Sequence, residues 1–539
     1  MYSSKVMQEQ GSTHDWDLVH MYGDIGLDQL LPIRPTVIAG LTHWARANPD
    51  HPFITAHATD GTISTITYGD TERFSHRLAH WFQAERQLGE GDVVGYHPTN
   101  DIPSVLILLG LLRSGCTVIV LNPSDPESRV AEQSEATGAK FIVRNPEAVA
   151  DIPGAVEVPN SSVLADISGD MCCRALRPLA DAFYIPTSGS TAASKLVAQS
   201  HYNAAVNAEA LRRHHGLQPG LRVLGCLPIH HVNGLHFSIF ATMMSGAHLL
   251  LAREFSPFTY TGILERYKPH IASVVPSILE ALLVTWRKPA IPSDFRYFVS
   301  AAAPLSHVTC QALTQKMGCR ILQGYGLTET TNFSTILPAD ISDDTYRRLM
   351  IESEIPSIGT PLFGNEVRIL TSDGRQAEDG QSGEICMRGH SVMMRYAGNE
   401  CATKESFRGG WFHSQDLGHT VRDRDTGRQF VVITGRVKNV AKVRGESVSL
   451  DELDRFLRAL AFVHDAACVA VPNRMLGEEI IAGVVVAPGY SNAELLRRLE
   501  TAFSPSSIPR RVVQVKSIPR TQTGKLRRKV LTQLLVESN

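Results

Sequence analysis

Between Thr187 and His201 the chain reads TSGSTAASKLVAQSH, a stretch short of apolar bulk and rich in hydroxyls. Ser188, Ser190 and Thr191 supply hydroxyl groups, Gly189 supplies backbone freedom and Lys195 one positive charge. A loop of this make-up suits a polyphosphate, because N–H groups and hydroxyls turn inward while an ammonium neutralises charge. The GxxxxGK[ST] spacing of a Walker loop is absent. Alone, such a tract also suits a plain surface loop, so its meaning depends on the stretches downstream of it. GYGLTET stands at 324–330, WFHSQD at 411–416, ITGRVKNVAKVRGE at 433–446 and PRTQTGKLRRK at 519–529.

In that order, these stretches resemble the core motifs of the adenylate-forming superfamily: acyl- and aryl-CoA ligases, luciferases and peptide-synthetase adenylation domains. The resemblance runs from about Tyr68 to Leu531. It implies an acyl-CoA ligase that makes a CoA thioester from a carboxylic acid through an acyl adenylate, with ATP/AMP, Mg²⁺ and coenzyme A as cofactors. Forming the adenylate brings a carboxylate against the α-phosphate. The site must therefore offset that repulsion and stabilise a crowded phosphorus centre.

The resemblance also implies roles for individual residues. Thr187, Ser188, Gly189, Ser190, Thr191 and Lys195 form the phosphate loop. Gly324 and Tyr325 meet the adenine, Thr328 bonds the α-phosphate, and Glu329 holds Mg²⁺. Ala302, in SAAAPL at 300–305, flanks adenine and acyl group, with Ala301 where glycine is common. Asp416 accepts the ribose hydroxyls and Arg436 approaches the same sugar. His231, in LPIHHVNG, lines the acyl cleft, and His-His-Val-Asn in place of an aspartate favours a simple carboxylic acid over an amino acid. Lys525 is the adenylation lysine, carried by a C-terminal domain that turns about Lys438 to present Lys442 and Gly445 for thiolation.

The phosphate loop departs from the family pattern TSGTTGxPKG. Ala192 replaces the second glycine, Ser194 the proline and Leu196 the last glycine. An alanine where glycine is needed costs about 1 kcal/mol, and Leu196 is expected to place bulk beside Lys195. This raises an alternative: a non-adenylating member that accepts preformed acyl-AMP and only transfers the acyl group to CoA. Acylation of a separate carrier protein, lactone formation and a nucleotide-binding sensor are further alternatives. The acid itself is not legible in the sequence.

Composition sets bounds around these motifs. The chain has 539 residues, 43% hydrophobic and 20% charged, with a net charge of −2. That suits a globular protein of two or three domains with no field for nucleic acid or anionic lipid. Nine scattered cysteines without CxxC spacing point to a reducing, cytoplasmic setting. The first thirty residues lack a basic-then-apolar leader, and the apolar run Val105–Leu121 contains Arg113 and Gly115, so no membrane span is expected. A monomer and a homodimer are both compatible with these bounds.

Strand and helix patterns alternate through the first 330 residues at βαβ spacing. The expected fold is α/β: a large N-terminal domain of two α/β lobes plus a β-rich lobe at about 335–433, then a small mobile α+β C-terminal domain. The expected boundaries are a loosely attached extension at 1–33, the AMP-binding domain at 34–434, a hinge at 435–438 and the mobile domain at 439–539.

Overall fold

The computed structural model describes residues 14–144, 155–159, 175–187, 195–288, 290–521 and 524–537. Its frame is two large sheets with helices between and around them. In the nine-stranded sheet, Pro52–His57, His248–Ala252, Arg222–Gly225, Ile271–Val274, Tyr297–Ser300 and Arg320–Tyr325 run parallel in that spatial order. In the seven-stranded sheet, Ile142–Arg144, Val93–His97, Thr117–Val120 and Asp181–Pro186 run parallel. Most of these strands are short and almost wholly buried, as expected of parallel strands covered on both faces.

The helix His201–His215 is buried along most of its length and organises the region between the sheets. Ser200 and Asn203 form a capping box at its start, and Gly216 ends it in the left-handed conformation. Asn203 Nδ2 donates to the carbonyls of His390 and Val392 at 2.8 and 3.1 Å, and Asn207 Nδ2 donates to Phe333 O at 3.0 Å. Polar side chains on an otherwise buried helix thus fix two segments that are far apart in the chain.

The β-rich lobe is a four-stranded antiparallel sheet of Asn365–Leu370, Gly383–Gly389, Phe412–Arg422 and Gln429–Arg436. It is less separate than its sequence suggests. Arg395–Tyr396 pairs with the edge strand Leu196–Ser200 of the seven-stranded sheet. Thr335–Ile336 and Thr360–Pro361 extend the nine-stranded sheet.

Residues 14–33 are not loosely attached. Trp16 and His20 pack edge-on against Phe407, and His20 Nε2 bonds Met393 O at 3.1 Å. Leu31 N–H donates to Tyr202 Oη, and His390 Nε2 bonds Ile25 O. The segment opens with the short helix His14–Val19, whose single turn and a half is too brief for its Trp16–Val19–His20 spacing to stand out in the sequence.

Beyond Arg436, a single 3-10 turn, Val437–Asn439, leads into a separate five-stranded sheet. It contains Val440–Val443, Glu446–Ser449, Val463–Asn473, Gly477–Val486 and Arg511–Gln514. Leu450–Ala459 and Asn492–Ala502 pack with one apolar cluster, and Arg528–Glu537 with another. Among the described residues no helix is long and apolar enough to cross a membrane, and all seven cysteines are free thiols.

Candidate active site

The strand Arg320–Tyr325 delivers the GYGLTET loop to one wall of a cleft. Both glycines are needed there because the chain doubles back at once. A Cβ on Gly324 would sit 2.4 Å from the Phe333 ring, and one on Gly326 would sit 1.7 Å from Asn332 O. The turn Thr328–Thr330 is fastened by Gln199, whose Nε2 donates to Thr328 O at 2.8 Å while its Oε1 accepts from His236 Nε2. Thr331 takes φ 68°, a costly value for a β-branched residue, and its Oγ1 donates to Ser391 O at 2.7 Å. Thr328 Oγ1 has no partner among the described residues and stays available to a ligand.

Segment 390–396 supports this loop from outside. Met393 N–H donates to Glu329 O at 2.7 Å, and Tyr396 Oη donates to Glu329 Oε1 at 2.8 Å. The Tyr396 ring also carries Lys195, whose Nζ lies 4.6 Å from the ring centre. Lys195 O accepts from Thr187 N–H at 2.9 Å, so the two ends of the serine-rich loop are clasped together. Ser188, Gly189, Ser190, Thr191, Ala192 and Ser194 lie outside the described residues. Leu196 does not crowd Lys195: its side chain packs with Ile119, Leu121 and Val130. Successive strand residues face opposite ways, which separates the two.

Asp416 faces the GYGLTET loop from the antiparallel lobe and is 1% exposed. Between His413, paired with Cys386, and Leu417, paired with Glu384, the strand bulges outward. Gln415 takes φ 61° in the bulge, a left-handed value that a glycine would hold without strain. Glu384 pins it: Oε1 accepts from Gln415 N–H at 2.8 Å and Oε2 pairs with His413 Nδ1 at 2.7 Å. The donor atoms of Glu384, Cys386 and His413 lie within 4.8 Å of one another, but these bonds already engage the carboxylate and imidazole. Asp416 Oδ2 accepts from Tyr325 Oη at 2.7 Å. Its buried Oδ1 lies 2.8 Å from Arg436 Nε without a well-aligned N–H. Asp416 raises the pKa of Arg436, so that guanidinium stays charged.

The small domain supplies the last wall. Gly524, at φ 81°, turns the chain tightly, with Lys525 N–H donating to Thr521 Oγ1 and Thr521 N–H to Lys525 O. Arg520 braces the turn through Asp465 and Gly524 O. A Cβ on Gly524 would stand 3.9 Å from Ala303, so the turn abuts the SAAAPL loop, in which Ala302 takes φ 73°. Lys525 is open to solvent along the cleft although protein surrounds it on most sides. That enclosure, then the Arg436 charge, holds its pKa below the usual lysine value against the pull of Glu329 and Asp416. His231 is held near 4 by burial and then by Lys525. The loop 227–231 is tied down by Asn100, which donates to Leu227 O and accepts from Ile229 N–H.

The arrangement brings together Lys195 with Glu329, Tyr325 with Asp416 and Arg436, and Lys525 with Glu329, Asp416, Arg436 and His231. Lys442 and Gly445 stand apart on the hairpin Val440–Ser449: Lys442 Nζ bonds Ser447 Oγ, its N–H donates to Glu478, and nothing faces Gly445. Sequence reasoning missed Gln199, Glu384, Met393 and Tyr396, which act on the cleft through backbone atoms or through another side chain. The GEICMRG and MMRYAG stretches carry the last three, but no spacing rule links those stretches to the cleft. The apolar stretch HVNGLHFSIFATMMSG runs as a π-helix over Asn233–Ala241 before its last turn, Thr242–Ser245, becomes α-helical.

Residues 41–397 match the model of the AMP-binding enzyme family, and residues 452–525 match the AMP-binding enzyme C-terminal domain. A sulfoacetate–CoA ligase of Cupriavidus necator is 28% identical over 498 residues, covering 89% of this chain and 94% of its own. A 4-coumarate–CoA ligase of Pinus taeda is 26% identical over 541 residues, covering 95% and 96%. The crystal structure of ATP-bound MatB from Rhodopseudomonas palustris superposes with a TM-score of 0.80 at 25% identity, covering 92% of this chain and 98% of that one.

Proposed function

Because the chain belongs to the AMP-binding enzyme family, we propose that it is an AMP-forming acid–CoA ligase. An acid carboxylate attacks the α-phosphorus of ATP, pyrophosphate leaves, and the acyl-AMP then gives its acyl group to the CoA thiol with loss of AMP. The observation that carries this reading is the meeting of Lys525, Glu329, Asp416 and Arg436 at one cleft although they come from distant parts of the chain.

Each group has a defined task in that reaction. Asp416 binds the ribose hydroxyls through the acceptor capacity that Tyr325 leaves free. Lys525, placed between the carboxylate and the α-phosphate, offsets the repulsion between the two anions. Thr328 donates its hydroxyl to the α-phosphate. Glu329, with one oxygen engaged by Tyr396 and the other free of protein partners among the described residues, fits a hard divalent cation. Mg²⁺ bound there would add positive charge over the phosphates. His231, neutral at physiological pH, lines the acyl side of the cleft without adding charge.

Sulfoacetate and 4-coumarate ligases among the relatives make a simple carboxylic acid the expected substrate class. The two-domain layout proposed is 34–434 and 439–539 with a hinge at 435–438, working in the cytosol with CoA as acceptor. The test combines the protein with ATP, Mg²⁺, CoA and a panel of acids, and detects CoA thioesters by mass. ATP–pyrophosphate exchange with the matched acid is expected. Thioester from synthetic acyl-AMP without any exchange would establish the transfer-only alternative that Ala192 and Ser194 raise. Absence of both would overturn the ligase reading.

A further inference from the structure

A lysine on a turning domain reaches the cleft only while something holds that domain in place. Within the proposed hinge, Gly435 and Arg436 still pair with the strand of Asp416, so the joint itself is the short turn Val437–Asn439. Just before it, the strand Gln429–Arg436 ends against the first turns of the helix Leu450–Ala459. Two hydrogen bonds cross there. Asp451 Oδ2 accepts from Arg436 N–H at 2.9 Å, and Arg455 Nη1 donates to Thr434 O at 2.6 Å. Gly435 lets the helix come this close, since a Cβ there would meet Asp451 Oδ2 at 3.0 Å.

The Asp451 carboxylate is also held by its own side of the joint. Asn439 Nδ2 lies 3.0 Å from both of its oxygens, and Arg528 Nη2 donates to Oδ1 at 2.6 Å. A rotation at residues 437 and 438 carries these partners along with Asp451. It breaks the bonds to Arg436 N–H and Thr434 O, which stay with the antiparallel lobe. The two crossing bonds therefore stabilise one orientation, the one that brings Lys525 among Glu329, Asp416 and Arg436. Arg436 joins the two tasks: its side chain meets Asp416 while its backbone N–H meets Asp451.

We infer that Asp451 and Arg455 are positioning residues that latch the small domain in its adenylating orientation and set the balance between the two half-reactions. This rests on the ligase reading. It predicts opposite effects on two rates, each measurable in a single turnover: acyl-AMP formation without CoA, and thioester formation from preformed acyl-AMP with CoA.

Arg455→Met keeps the aliphatic stem and removes the donor. It is expected to slow the first rate about five- to tenfold, the scale of one lost hydrogen bond, while the second is unchanged or faster. Gly435→Ala leaves Asp451 and Arg455 in the chain but sets a methyl 3.0 Å from Asp451 Oδ2, which pushes the helix away from the strand, and it is expected to act the same way. Arg455→Lys, which restores a donor, should recover part of the first rate. Equal loss of both rates in Arg455→Met and Gly435→Ala would reduce these contacts to ordinary packing and overturn the latch, as would no change in either. A wild-type protein that makes no thioester from any acid or acyl-AMP would instead refute the ligase reading beneath it.

Discussion

The small domain carries two basic loops of similar appearance in sequence, and the fold treats them in opposite ways. KVRGE is a hairpin turn in water, with Lys442 bonded to its own hairpin and Gly445 facing open space. TGKLRRK sends Lys525 into a cleft, where the surrounding protein and then Arg436 lower its pKa. The difference lies in the support behind each loop. Arg520, held by Asp465, braces the second turn, and Ala303 receives its tip. In this orientation Lys525 stands at the cleft while Lys442 stays bonded to its own hairpin.

Substitution at the two lysines tests this contrast most strongly. Lys525→Ala is expected to slow acyl-AMP formation by about 10²–10³-fold, the usual cost of removing one stabilising donor from a reacting centre. Thioester formation from preformed acyl-AMP should survive within a few-fold. Lys442→Ala should give the mirror result, with normal ATP–pyrophosphate exchange and a smaller, about tenfold loss in thioester formation. If both variants impair the same step, the two faces do not divide the work.

Acid separates the two domains by another route. His201 and His214 are held near 4, and His236 near 3, by burial in the large domain. Only His464 follows residue 438. A histidine kept neutral in the folded state gives stability that is complete above its unfolded pKa of about 6.5 and shrinks as pH falls toward the folded value. Between pH 7 and pH 5 the large domain should therefore lose several degrees of melting temperature. The small domain should lose less. Calorimetric scans across that range would show it, and parallel shifts would remove the distinction. The smallest effect concerns the loop that receives Lys525. Ala302 at φ 73° bears the strain of a left-handed backbone, so Ala302→Gly should stabilise the fold by up to about 1 kcal/mol in urea melts.

Much of the cleft was legible because its chemistry is local in the chain. GYGLTET combines a buried strand end, two glycines and a turn within seven residues, and the chain folds that way. Helix ends were partly legible. Gly216 ends its helix in the usual left-handed cap, whereas the helix Tyr68–Arg86 stops short of Gly89 because Gln87 takes that conformation first. Leu196 was misjudged: strand alternation turns it into an apolar cluster, away from Lys195. The fastening of residues 14–33 was missed because Trp16 and His20 depend on Phe407 and Met393, which lie almost four hundred residues away.

From the amino-acid order alone came the alternation of βαβ units, the family and the identity of the charged groups at the cleft. These are carried by short-range pattern and by residue type, and neither needs coordinates. Tertiary structure alone decided which of two lysines stands among Glu329, Asp416 and Arg436, how Glu384 holds a bulged strand beside Asp416, and that Asp451 closes on Arg436 across the joint. Those outcomes depend on distances between elements far apart in the chain, and a single sequence does not carry such distances.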